Sequence, residues 1–353
     1  MEHVGDKRRV MRIAQVAPLA ESVPPRLYGG TERIVSYLAD GLVDLGHEVT
    51  LFASGDSVTR ASLIATRDCA LRLDPHPHTS SIAAHFTMLD EVRKRASEFD
   101  IIHFHLSHFI HFPFFENMAH KTVTTPHGRL DYRDLPEAYR RWNEFPMISI
   151  SDSQRKPLAE ARWLATVHHG LPFSSQPVWN GSGGYLAFLG RIARDKRPDR
   201  AIEIARRTGY RLRIAAKIGR DDRAYFHETI EPLIDGENVE FVGEIGEAEK
   251  VEFLGNAAAL LFPIDWPEPF GLVVIEAMAV GTPVVAWNQG AMEEIIDEGV
   301  TGAVVDSTEA AVEAVHRVAK LDRSQVRAAF EQRFGADRMV RQYVDAYTRL
   351  LDV

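Results

Sequence analysis

Residues 263–290 read PIDWPEPFGLVVIEAMAVGTPVVAWNQG. A proline-bounded loop carries Glu268, an apolar run of helical length carries Glu276 eight residues later, and TPVVAW (282–287) returns as a strand. Strand, loop, buried helix and strand in succession are the repeating unit of a parallel sheet covered by helices. An ionised carboxylate inside an apolar helix is prohibitive without partners, so Glu276 must meet a basic group, polar protein groups or ligand hydroxyls. The first turn of the same helix, near Phe270, Gly271 and Leu272, presents unpaired N–H groups and the positive end of the helix dipole, which together favour an anion. Phosphate beside hydroxyls points to a nucleotide sugar.

Outward from this unit the alternation continues in both directions. Apolar runs at 10–16, 48–54, 100–104, 121–125, 146–151 and 164–168 predict one set of strands, and a helical pattern occupies 31–45. YLAFLG (185–190), RLRIAA (211–216), NVEFVG (238–243), AALLFP (258–263), TPVVAW and TGAVVD (301–306) predict a second set. Between them LPFSSQPVWNGSGG (171–184) loses periodicity and collects Ser, Gly and Pro, which marks a linker and hinge. The fold class is therefore α/β, with two doubly wound domains: 1–172, a linker at 173–184, a second domain at 185–334, and a final helix in 335–353 that could cap either. In such folds ligands bind outside the carboxyl ends of the strands, so two facing sheets make a cleft.

Composition bounds the partners. The 353 residues are 45% hydrophobic and 26% charged, ordinary for a globular enzyme, and 41 Lys plus Arg against 50 Asp plus Glu give a net charge of −9. No global attraction to nucleic acid or anionic membrane follows from that balance. The single Cys69 excludes an intramolecular disulfide and a cysteine zinc cluster. No signal peptide and no run of about eighteen apolar residues is visible, so a cytoplasmic location and at most peripheral membrane contact are expected.

Arg191 and Lys196 follow the strand YLAFLG and could clamp a diphosphate, although RIARDKRPDR also reads as a solvated charged loop. Four histidines, His103, His105, His108 and His111, lie in DIIHFHLSHFIHFPFF (100–115). The first pair alternates on a strand face, the second has helical spacing, and no carboxylate cluster accompanies them, so core or pocket wall is favoured over metal. His105, at the strand's end, is the candidate for the acceptor pocket.

The ordered set GGTER (29–33), FLGRIARDK (188–196), VEFVGEI (239–245) and EPFGLVVIEAMAVGTPVV (268–285) resembles the retaining glycosyltransferases of family 4, with the GT-B architecture of two facing Rossmann-like domains. The resemblance covers nearly the whole chain. It implies that the first domain receives the acceptor and the second the donor, with Glu276 on the ribose hydroxyls and Glu268 on the donor sugar. Pro269, Phe270, Gly271 and Leu272 would contact sugar and phosphates, Arg191 and Lys196 the diphosphate, and the backbone of Glu244 and Ile245 the base. Gly29 and Gly30 would let the backbone approach the diphosphate, and His127, in TTPHGRL, would stand beside the donor sugar at the reacting centre. A UDP-hexose donor, an unidentified hydroxyl acceptor and no cofactor are expected. The Asp-x-Asp motif of the other common glycosyltransferase architecture is absent, so metal independence is expected too. A nucleotide-sugar epimerase of the same architecture and a non-catalytic two-lobed sugar-binding protein are the rival readings.

Overall fold

The computed structural model describes residues 9–27, 29–76, 79–106, 109–172 and 177–352; His108 and residues 173–176 of the expected linker lie outside them. The first lobe is built on seven parallel strands, β1 (Arg12–Val16), β2 (Glu48–Ala53), β3 (Ser62–Ala65), β4 (Ile101–Phe104), β5 (Thr122–Thr124), β6 (Met147–Ser149) and β7 (Trp163–Thr166). Their order is β3-β2-β1-β4-β5-β6-β7. The second lobe has six, β8 (Tyr185–Ile192), β9 (Arg211–Ile218), β10 (Val239–Gly243), β11 (Ala257–Phe262), β12 (Val284–Trp287) and β13 (Gly302–Val305), ordered β10-β9-β8-β11-β12-β13. Strand order reverses between β1 and β4 and again between β8 and β11. Those reversals open the crevices in which doubly wound sheets bind ligands.

Two elements depart from the sequence reading. The edge strand β3 was not anticipated, because its apolar run is only the three residues Leu63, Ile64 and Ala65 and its ends are exposed. β8 and β9 pair as far as Ile192 and Ile218, two residues beyond the expected ends, so Arg191 stands in a strand rather than in the loop after it.

The chain crosses between lobes twice, and the crossings are tied together. Leu171 N–H donates to Phe334 O at 2.9 Å, and Ala336 N–H donates to Leu171 O at 3.1 Å. Gly170 is required there, since a Cβ would come within 2.4 Å of Gly335 O. Beyond the second crossing the helix Ala336–Leu351 packs on the first lobe. Its Val340 occupies the space above Gly41 of the helix Gly30–Asp44, and its Tyr343 and Tyr347 are fully buried. Burial of Met339 and Val344 on the same face contributes about 1.5–3 kcal/mol each relative to exposure. On the other side of the linker, Trp179 N–H donates to Val280 O at 3.0 Å and Gly181 N–H to Gly255 O at 3.2 Å, pinning residues near 180 to the second lobe. Among the described residues no helix is long and apolar enough to cross a membrane.

Candidate active site

Glu276 lies on the helix Leu272–Ala279, one turn below Leu272, where i and i+4 share a face. It is buried, and the partner demanded by its apolar setting is Lys250, whose Nζ donates to Glu276 Oε1 at 2.7 Å. Lys250 comes from the helix Glu247–Gly255 and also reaches Glu247 at 2.5 Å. Glu247 in turn meets Arg33 of the first lobe at 2.6 Å, so four alternating charges run from one lobe into the other. Burial alone would lower the Lys250 pKa; the Glu276 and Glu247 carboxylates outweigh it and raise the pKa instead.

The start of the Glu276 helix depends on Gly271, which is left-handed with φ 88° and would be strained by any side chain. Directly opposite, a Cβ on Gly30 of the first lobe would come within 3.0 Å of Leu272 Cδ1. Gly29 is constrained from its own lobe, since a Cβ there would lie 2.7 Å from Pro25. The two lobes therefore approach each other backbone to helix start.

Glu268 is fixed by the turn after β12. Ala291 N–H donates to Glu268 O at 3.0 Å, and Gly290, left-handed at φ 62°, packs so closely that a Cβ would fall 2.0 Å from the same oxygen. The Glu268 carboxylate accepts from Lys196 Nζ at 2.6 Å, and Lys196 Nζ also lies 4.5 Å from the Trp266 ring centroid. The cation and the carboxylate, read separately in the sequence, form one pair. Arg191 is held more loosely, with Asp222 at 3.6 Å and Asp195 at 3.9 Å, and its Nε has no hydrogen-bond partner among the described residues. Phe270 and Pro269 are buried under this loop. Glu244 and Ile245 follow β10 on the sheet's outer edge, with Glu244 exposed and 3.9 Å from Lys217.

On the first-lobe side His127 follows β5 and is partly exposed. Its Nε2 is 2.9 Å from His105 Nδ1, and its ring stacks on His169 at 5.2 Å with planes 14° apart. His169 meets Phe270 of the second lobe edge-on at 4.9 Å. Burial pushes the His127 pKa down to about 3 and holds His105 and His103 well below the ordinary imidazole value, so all three are neutral. His105 is the residue expected at the acceptor pocket. It is only 2% exposed and stands behind His127, with its Nε2 bonded to Gln15 Oε1 at 2.7 Å. His111 is a core residue, stacked 4.0 Å from Phe104 and bonded to Thr124 at 2.8 Å. Among the described residues no group of three or more His, Cys, Asp or Glu is placed to hold a metal ion.

Lys250, Glu247, Arg33, Trp266 and His169 were missed by the sequence reading. Lys250 and Glu247 sit in an ordinary charged helix face, EAEKVEF, whose pattern carries no signal of a partner 26 residues away. Lobe closure is steadied by Glu294, whose carboxylate accepts from the Asp152 and Ser153 N–H groups of the first lobe at 2.8 and 2.6 Å.

Comparison with known proteins identifies the family and the fold. Residues 173–333 match the family described as glycosyl transferases group 1, and residues 28–155 match glycosyltransferase family 4. The chain is 26% identical over 350 residues to the phosphatidyl-myo-inositol mannosyltransferase of Mycolicibacterium smegmatis, covering 92% of this chain and 88% of the relative. It is 26% identical over 336 residues to a glycogen synthase of Mycobacterium tuberculosis, covering 79% of each. Among solved structures, AviGT4, a glycosyltransferase involved in avilamycin A biosynthesis, superposes with a TM-score of 0.69 at 25% identity, covering 97% of this chain and 98% of that one. Anabaena HepE in complex with UDP and glucose superposes with a TM-score of 0.72 at 16% identity, covering 96% and 100%. The two family matches account for most of the chain between residues 28 and 333, and the protein belongs to the family 4 glycosyltransferases with the GT-B fold.

Proposed function

We propose that this glycosyltransferase moves a hexosyl group from a nucleotide sugar, a UDP-hexose in the first instance, to a hydroxyl acceptor with retention of anomeric configuration and without a metal ion. The observation that carries the reading is that one stretch, 268–276, holds the Lys196-bonded Glu268, the Gly271 helix start opposite Gly30 of the first lobe, and the Lys250-held Glu276. Glu276 receives the ribose hydroxyls, the helix start with Arg191 and Lys196 receives the diphosphate, and Glu268 with the Pro269–Leu272 backbone receives the sugar. The backbone at Glu244 and Ile245 faces the base. Cations and helix dipole stabilise the charge that develops on the departing diphosphate, the task a metal performs elsewhere.

Retention by double displacement needs a carboxylate nucleophile beneath the anomeric carbon. Glu268, already bonded to Lys196, is better suited to holding the sugar than to attacking it. The reaction then proceeds on one face of the sugar, with the leaving phosphate accepting the proton of the acceptor hydroxyl. The first lobe, 1–172, supplies the acceptor side, 185–334 the donor side, and residues 173–184 the hinge; Cys69 as sole cysteine accords with a cytoplasmic setting. HepE, solved with UDP and with UDP-glucose, lends support to the uridine nucleotide. Thermal shift against a panel of nucleoside diphosphates and nucleotide sugars, followed by acceptor screening and NMR of the product's anomeric centre, is the test. An inverted product refutes the same-face reaction, and conversion of the donor to an isomer without acceptor refutes transfer itself.

A further inference from the structure

A chain of hydrogen-bonded polar groups, most of them buried, links Tyr347 of the final helix to His127. Thr125 Oγ1, His103, Tyr347 Oη, Gln15, His105 and His127 follow one another at 2.8, 2.7, 3.1, 2.7 and 2.9 Å. Gln15 belongs to β1, His103 to β4, and Tyr347 to the helix Ala336–Leu351, 332 positions from Gln15.

Gln15 sets the direction of the chain, because an amide nitrogen only donates and an amide oxygen only accepts. Its Nε2 donates to Tyr347 Oη, which leaves Oε1 facing His105 Nε2, and that nitrogen must carry hydrogen. A neutral imidazole has one N–H, so His105 Nδ1 accepts and the facing His127 Nε2 donates. His127 then has a bare Nδ1. That atom is buried and has no partner among the described residues. The opposite amide orientation would reverse every donor in the chain and leave an N–H at that position; an orphaned buried N–H is rarer than an under-satisfied acceptor. The stack on His169 fixes the plane of the His127 ring, and the bond to His105 fixes which edge turns inward.

We infer that Gln15, His105 and Tyr347 are positioning residues that hold His127 in the Nε2–H tautomer, so that its Nδ1 accepts a hydrogen bond from a hydroxyl of the sugar bound in the cleft. The hydroxyl-bearing ligand rests on the glycosyl-transfer reading, whereas the tautomer rests on the hydrogen-bond chain alone. A lone pair at this point selects a donor with a hydroxyl there over one in which hydrogen or an ether replaces it.

The test is 15N NMR of the full-length protein with labelled histidine, assigned with His127→Asn and His105→Asn. Expected are protonated Nε2 and unprotonated Nδ1 at both His105 and His127, and a shift of the His127 Nδ1 resonance on adding UDP-glucose but not UDP. Tyr347→Phe removes the hydroxyl that orients Gln15. It should give mixed tautomers at His127 and a kcat about tenfold lower, the loss of roughly one hydrogen bond, with unchanged affinity for UDP. A protonated Nδ1 at His127 in the wild-type protein overturns the inference, and that spectrum decides even if Tyr347→Phe does not fold. Unaltered His127 signals and turnover in a folded Tyr347→Phe overturn it as well. Failure to turn over any nucleotide sugar, with the expected wild-type tautomer, counts against the glycosyl-transfer reading and leaves the tautomer supported.

Discussion

Lys250 Nζ lies 2.7 Å from Glu276 Oε1, with the two side chains only 15% and 9% exposed. Removing one partner of such a pair strands the other, so Lys250→Met should destabilise the protein by about 3 kcal/mol. Glu276→Gln in the same background should restore part of the loss, giving a coupling of at least about 1 kcal/mol in a double-mutant cycle measured by urea unfolding. The sign with pH follows from the raised Lys250 pKa: the pair's contribution is complete below the ordinary lysine value and is lost only as pH rises through the folded one. Additive effects of the two substitutions would show that the pair is not a unit.

The two carboxylates should separate by experiment. Glu276→Ala removes the proposed ribose contact and should weaken UDP binding by at least about tenfold, the value of a charged hydrogen bond. Glu268→Gln frees Lys196 from its 2.6 Å contact, so nucleotide affinity should hold while turnover falls by about 100-fold, in the range for losing a preorganised electrostatic contact. Isothermal calorimetry with UDP alongside steady-state kinetics distinguishes them. Unchanged UDP affinity in Glu276→Ala would remove the ribose assignment.

Gly290 offers a route to Glu268 that leaves its chemistry intact. A methyl group there would collide with the Glu268 carbonyl at 2.0 Å, and the left-handed backbone at φ 62° adds strain of about 1 kcal/mol. Gly290→Ala should therefore lower kcat as Glu268→Gln does, while UDP affinity and the urea-unfolding slope stay near wild type. Full activity in this variant would mean that the position of the loop does not matter.

These effects divide along what could be read in the chain. The loop at 268–272 and the helix bearing Glu276 were legible because local chemistry declares them: proline boundaries, a glycine at a helix start, and a carboxylate among apolar residues. That Glu276 needed a partner was legible too; that the partner is Lys250 was not, since the contact joins two helices and is set by how they pack. The same limit explains His105. Its place at the end of β4 was correct, but whether a strand-end side chain faces ligand or lies behind a neighbour depends on the loop carrying His127 and on Tyr347 from the far end of the chain. β3 escaped because a run of three apolar residues, Leu63, Ile64 and Ala65, is too short to be told from a loop by its pattern.

Acid stability should expose the neutral histidine cluster. His103, His105, His111 and His169 are at most 3% exposed, and burial holds each pKa below the ordinary value of 6.5, to about 3 for His111. Below pH 6.5 the unfolded chain takes up protons that the folded chain refuses, so stability falls as pH falls, and continues to fall until the folded pKa is reached. At pH 5 His111 alone costs about 2 kcal/mol, and His103, His105 and His169 act in the same direction. The melting temperature should drop steeply between pH 7 and pH 5. His111 lies in the core away from the cleft, so His111→Gln should make that drop shallower without changing UDP affinity at pH 7. Differential scanning fluorimetry across this range decides the matter: a flat melting temperature from pH 7 to pH 5 would mean that the histidines take up protons in the folded state.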